Sequence, residues 1–104
     1  MRQFNVFANP IPPARRSFPL VAVLQADIAD TGSELMIAPM ARALDVPGIA
    51  GRLAPVLRVG DTDYVLAVPK MTTVPTRLLR EPVASVSAHR DRITAALDYL
   101  FQGL

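Results

Sequence analysis

Cysteine and tryptophan are absent from this 104-residue chain, and histidine occurs once. Without cysteine there are no disulfide staples and no thiolate metal sites, and a single histidine excludes a histidine-rich metal centre. No segment approaches the roughly 18 uninterrupted apolar residues of a membrane helix, and the N-terminus has no signal-peptide pattern. A reducing, cytoplasmic location without membrane contact is therefore expected. Charge is also sparse. Charged residues make up 19% of the chain against 51% hydrophobic, which excludes an intrinsically disordered protein. Eleven cations face nine anions, a net charge of +2, and nearly all the cations are arginine. Phosphate binding needs clustered cations. Only Arg15 and Arg16 are adjacent, with Arg77, Arg80, Arg90 and Arg92 scattered later, so direct nucleic-acid binding is not expected.

Residues 1–104 are expected to form one domain, since domains typically run to about 100–150 residues. A domain this small buries only about 60–68% of the surface its unfolded chain exposes. Ordering each residue costs about 1.5 kcal/mol, so the margin is thin. An apolar chain without staples is a candidate for a homodimer.

Short aromatic and branched residues at 3–8 read as a first strand. Asn9 to Arg16, with prolines at 10, 12 and 13, is an exposed loop, either a long hairpin connection or a docking surface. The apolar run 18–26 suits a central strand covered on both faces. A polar turn over 27–33 and a strand at Leu35–Ala38, closed by Pro39, follow. The stretch 40–52 is ambiguous around a turn at Asp45–Gly48. Residues 53–59 and 64–69 form the best strand pair, joined by the four residues Gly60–Asp63. Pro75 limits 71–79 to an edge or a bend. A helix is expected from about Ser87 to Phe101, with Ser85 or Ser87 as N-cap. Ile93, Leu97 and Leu100 recur at helical spacing, with Ala96, Phe101 and Leu104 beside them. Strands first and one helix last, without βαβ alternation, predict an α+β fold with a mainly antiparallel sheet.

Catalytic chemistry is scarce. His89 near a helix start reads as a surface residue. The five glycines sit singly at turns, so no phosphate-cradling loop exists. Asp27 with Asp30, and Asp61 with Asp63, read as turn aspartates bonding their own backbone rather than as acid–base pairs. Of the four methionines, Met1, Met36, Met40 and Met71, those inside strands read as core filler rather than a binding patch. The end of the chain is different. Termini usually fray into polar tails, whereas this one ends on Leu100-Phe101-Gln102-Gly103-Leu104, with glycine in a C-cap-like position. Either the terminus folds back onto the sheet or it contacts a partner protein.

Several pieces, in order and spacing, resemble the CcdB family. They are Gln3-Phe4-Asn5-Val6-Phe7, Gln25 to Thr31, Met36-Ile37-Ala38-Pro39, Pro55 to Asp61, Met71-Thr72-Thr73-Val74-Pro75, and Leu100 to Leu104. The resemblance covers essentially the whole length. CcdB proteins are toxins of plasmid and chromosomal toxin–antitoxin modules that poison DNA gyrase. The resemblance implies a small SH3-like barrel of mainly antiparallel strands with a C-terminal helix, assembled as a homodimer. It implies a protein that is not an enzyme and needs no cofactor or metal. It would bind the gyrase A subunit and trap the complex in which DNA is cut. The implied gyrase-binding positions are Ile28 and Ala29 in the turn after the second strand, and Asp98, Phe101, Gln102, Gly103 and Leu104 at the helix end. The second implied partner is a CcdA-like antitoxin whose disordered tail wraps the toxin.

Two positions depart from the family pattern. Gln102 stands where the family has a tryptophan that stacks on an arginine of gyrase, and Asp98 stands where it has an asparagine. Gyrase activity is therefore expected to be weakened, altered or lost. Two alternatives follow: a CcdB-like protein that binds only its antitoxin, and an RNA-cleaving toxin on the related barrel, for which Thr73, Arg77 and Arg80 are the available residues.

Overall fold

A computed structural model describes residues 3–26 and 32–103. The strands are β1 (Asn5–Ala8), β2 (Leu20–Val23), β3 (Glu34–Arg42), β4 (Val56–Val59), β5 (Thr62–Leu66), β6 (Thr72–Pro75) and β7 (Ala84–Ser85). One α-helix, α1 (Arg90–Gln102), follows them. The sheet runs β4-β5-β3-β2-β1-β7, every pairing is antiparallel, and β6 joins it through β3. This is a nearly closed, small α+β barrel of antiparallel strands with one C-terminal helix, the SH3-like architecture that the family resemblance implies.

Long β3 organises the sheet. One of its edges pairs with β2, while the other carries β6 along Glu34–Ile37 and β5 along Met40–Arg42. Pro39, expected to close the strand, lies inside it. The physical reason is local. The carbonyl of Pro39 accepts from Ala67 N–H at 2.9 Å, so its donor-less nitrogen faces the same edge, at the changeover from β6 to β5. No ladder bond is broken there, which is the circumstance in which a strand tolerates proline. Pro75 behaves as expected, ending β6 at an edge.

The strand pair β4–β5 is shorter than the expected spans, and tighter. Val59 faces Thr62, so the connection is the two residues Gly60 and Asp61 rather than four. Gly60 has φ +61° and Asp61 does not have positive φ, the signature of a II′ hairpin turn with glycine first. Residues 51–54 instead close a small turn of their own, with mutual bonds between Gly51 and Ala54 of 3.0 and 3.1 Å.

Alternation in the central strands sorts the core into two layers. Ala22 and Leu24 with Ala38 and Met40 face the larger cluster, which also holds Leu57, Leu66, Val86, Ile93 and Ala96. Val21 and Val23 with Leu35 and Ile37 face a second cluster that includes Phe7 and Val74. The run 18–26 is thus covered on both faces as expected, though only its centre is strand. Phe4 is the one described non-glycine residue with positive φ, at +66°, a strained conformation for a bulky side chain. Burial of its ring and two backbone bonds hold it there, from its N–H to Val23 at 2.7 Å and to its carbonyl from Val86 at 2.8 Å.

The loop after β1 closes on buried Asn9. Its Nδ2 donates to Phe18 at 2.8 Å, its Oδ1 accepts from Ile11 at 2.9 Å, and Arg15 Nε donates to its carbonyl at 2.7 Å. Arg15 is therefore partly used inside the protein. Two short elements were not anticipated. One is β7, which pairs only with Asn5 and Val6. The other is a 3-10 turn at Ser87–His89 that precedes α1. Ser85 Oγ accepts from Ser87 N–H at 3.2 Å just ahead of this turn, but the N-cap positions are Val86 for the turn and His89 for α1, neither with a side-chain cap, so the expected serine cap is not formed.

Candidate functional site: the free face of the C-terminal helix

Two faces of α1 have different tasks. Ile93 and Ala96 are fully buried, and Leu97 and Leu100 pack half-buried against the larger cluster. Asp91, Thr94, Ala95, Asp98, Phe101 and Gln102 are exposed. Phe101, placed beside the buried stripe by its spacing, is 70% exposed. The reason is angular: at roughly 100° per residue, a position next to Leu100 has already turned off a stripe centred on 93, 96, 97 and 100. An aromatic side chain therefore stands in solvent at the helix end.

The helix stops at Gly103, which has φ +72° and ψ +21°, the left-handed conformation. Its N–H donates to Tyr99 at 2.9 Å and satisfies an otherwise orphaned carbonyl. Nothing lies within 4 Å of a Cβ added there. A Gly103→Ala change is thus opposed by backbone conformation alone. It should cost about 1 kcal/mol and lower the thermal midpoint by roughly 4–8 °C. Thermal unfolding followed by circular dichroism checks this, and an unchanged midpoint would count against a left-handed cap.

Asp98 and Gln102, one turn apart, share a cavity of about 280 Å³ with Ala95 and Arg52. Arg52 sits on the small 51–54 turn, and its guanidinium lies 4.0 Å from the centroid of the Tyr99 ring. Neither residue stands out in the sequence. Arg52 falls in the ambiguous stretch 40–52, and Tyr99 lies off the apolar stripe. A stacking pair brought together only by tertiary structure leaves no local periodicity to find. Ile28, Ala29 and Leu104, the other expected contact residues, lie outside the described residues, as do Asp27 and Asp30. The described residues on either side are anchored by hydrogen bonds. Gln25 Oε1 accepts from Met36 N–H at 3.0 Å on one side, and Ser33 accepts from Thr76 N–H at 3.0 Å on the other.

The remaining candidates are dispersed. Asp61 lies in the two-residue hairpin turn, where its carbonyl accepts from Arg58 at 3.2 Å, but Asp63, expected in the turn, lies in β5 and pairs across the ladder with Arg58 at 3.6 Å. His89 is half-buried at the start of α1. Arg80 lines a separate cavity of about 240 Å³ with Thr76, Asn5 and an apolar floor. Thr73 and Arg77 are exposed and do not line that cavity, so the three residues available for an RNA-cleaving site are not assembled into one. Among the described residues no helix is long and apolar enough to cross a membrane.

Compared with known protein families, the chain matches the family model described as CcdB protein over residues 3–103.

Proposed function

The chain belongs to the CcdB family, toxins of toxin–antitoxin modules, and on that premise we propose that it binds the A subunit of DNA gyrase and traps the gyrase–DNA cleavage complex. The observation that carries this reading is the free helix end, where Phe101 stands 70% exposed beside the left-handed Gly103. The contact surface is Asp98, Phe101, Gln102, Gly103 and Leu104, together with the turn residues Ile28 and Ala29.

The protein acts as a cytoplasmic homodimer. A two-fold dimer presents two copies of this surface, and gyrase A is itself two-fold, so one dimer bridges both halves. Binding the cleaved state more tightly than the closed state shifts gyrase toward the cleaved state by differential affinity, with no catalytic step by the toxin. A CcdA-like antitoxin is its second partner. Gln102 favours one further reading, a protein that retains the antitoxin but has lost gyrase, because the amide cannot reproduce a stacked ring.

A cleavage assay separates the two. Purified protein is incubated with gyrase from the same host, supercoiled DNA and ATP, and linear DNA is quantified after protein digestion. Accumulated linear DNA is the expected result. Its absence, from a protein shown to be folded, would assign the helix end to the antitoxin alone.

A further inference from the structure

The groove along the free face of α1 carries two arginines that have no carboxylate partner among the described residues. The cavity holding Arg52, Asp98 and Gln102 shares Arg52 and Ala95 with a second, more open one of about 550 Å³ that is also lined by Arg92. Among the described residues the ion pairs are Arg42–Asp45 and Arg58–Asp63, so neither Arg52 nor Arg92 has a carboxylate partner. Asp98 lines the same cavity as Arg52 without closing on it.

Arg52 is nevertheless held in place. It sits on a tight turn closed by two backbone bonds, and its guanidinium stacks on half-buried Tyr99. Stacking uses the face of a guanidinium and leaves its N–H donors directed outward in the plane. A cation fixed in this way loses little further freedom when it pairs, which is how preorganisation raises affinity. Ala95, a small side chain, lines both cavities with Arg52.

We propose that Arg52, oriented by Tyr99 and assisted by Arg92, is a carboxylate-reading site that recognises an acidic side chain of a protein partner docked on the helix face. This rests on the reading of that face as a protein-contact surface and adds the sign of the charge its partner must supply. A carboxylate matches the guanidinium edge with two parallel hydrogen bonds. Asp98 in the same cavity repels anions generally, so the site fits one carboxylate held at the Arg52 edge and not a continuous run of phosphates, which separates it from a nucleic-acid groove.

The test uses the full chain and does not depend on gyrase. The protein is titrated with a short glutamate-rich peptide while NMR follows the Arg52 Nε–Hε and Tyr99 ring signals. Controls are the glutamine version of the peptide and a DNA oligonucleotide. A saturable shift of both signals is expected with the acidic peptide alone, weakening as salt rises. Arg52→Gln should weaken it about tenfold, as expected for loss of a charge-assisted pair. Arg16→Gln, which removes an exposed cation elsewhere, should change it less than about twofold. No saturable shift, an undiminished one in Arg52→Gln, or DNA binding equal to or tighter than the peptide would overturn the proposal. If the peptide binds as described while the cleavage assay gives no linear DNA, the gyrase reading fails and the carboxylate site stands.

Discussion

Replacing Gln102 by tryptophan raises gyrase trapping: less protein is needed to reach half-maximal linear DNA in the cleavage assay. The argument begins with the position. Gln102 is exposed in the last turn of α1, one residue before the left-handed Gly103 and beside exposed Phe101. An added ring there meets solvent or a partner and leaves the core untouched. Cation–π stacking on a partner arginine is worth roughly 0.5–2 kcal/mol per contact. A homodimer presents the contact twice, so the gain is about 1–4 kcal/mol, or roughly fivefold to almost 1,000-fold in affinity. Arg52 does not compete strongly for the new ring, because its guanidinium already stacks on Tyr99. Stability should move by less than about 0.5 kcal/mol, as for most exposed positions. Unchanged trapping by a folded Gln102→Trp variant would show that position 102 does not meet a gyrase arginine. Tighter trapping would show that the wild-type glutamine is a weakened version of that contact.

Much of this molecule was legible in the sequence because periodicity and local chemistry agree. The alternation Val21/Val23 against Ala22/Leu24 is a strand with two covered faces, and the structure buries all four. The spacing of Ile93, Leu97 and Leu100 places the helix correctly. Legibility failed where a residue's role depends on what lies across from it. Pro39 reads as a strand end, because the sequence does not show that its missing donor falls between two partner strands. β7 is two residues long, and its pairing with Asn5 and Val6 is a tertiary fact. Gly60 signals a turn, but whether two or four residues form the connection depends on a positive φ at one position. At the helix end the residues matching the family were visible, whereas Arg52 and Tyr99 were not. Their relation exists only after the 51–54 turn docks on α1.

Ile93→Ala should destabilise the protein by about 2–5 kcal/mol, the range for truncating a fully buried isoleucine. Ile93 has no exposed surface and packs in the cluster with Met40, Leu57, Leu66 and Val86. Alanine removes the apolar contacts and leaves a cavity whose walls include Met40, Leu57 and Leu66, residues held in the sheet by their ladders. Against a total of roughly 5–15 kcal/mol for a small domain, this is a large share. Ile93 and Ala96 are the fully buried residues of α1, so the loss falls on the element that carries the proposed contact surface. Asp98→Ala is the matched control. It lies on the same helix but is exposed and free of described ion pairs, and should shift stability by less than about 0.5 kcal/mol. Urea denaturation of the three proteins measures both effects. If Ile93→Ala costs under about 1 kcal/mol, α1 is held mainly by contacts other than its docking on the barrel. If instead Ile93→Ala is severe and Asp98→Ala is silent, the helix divides cleanly. One face fixes where the surface stands, and the other is free to be shaped by whatever binds it.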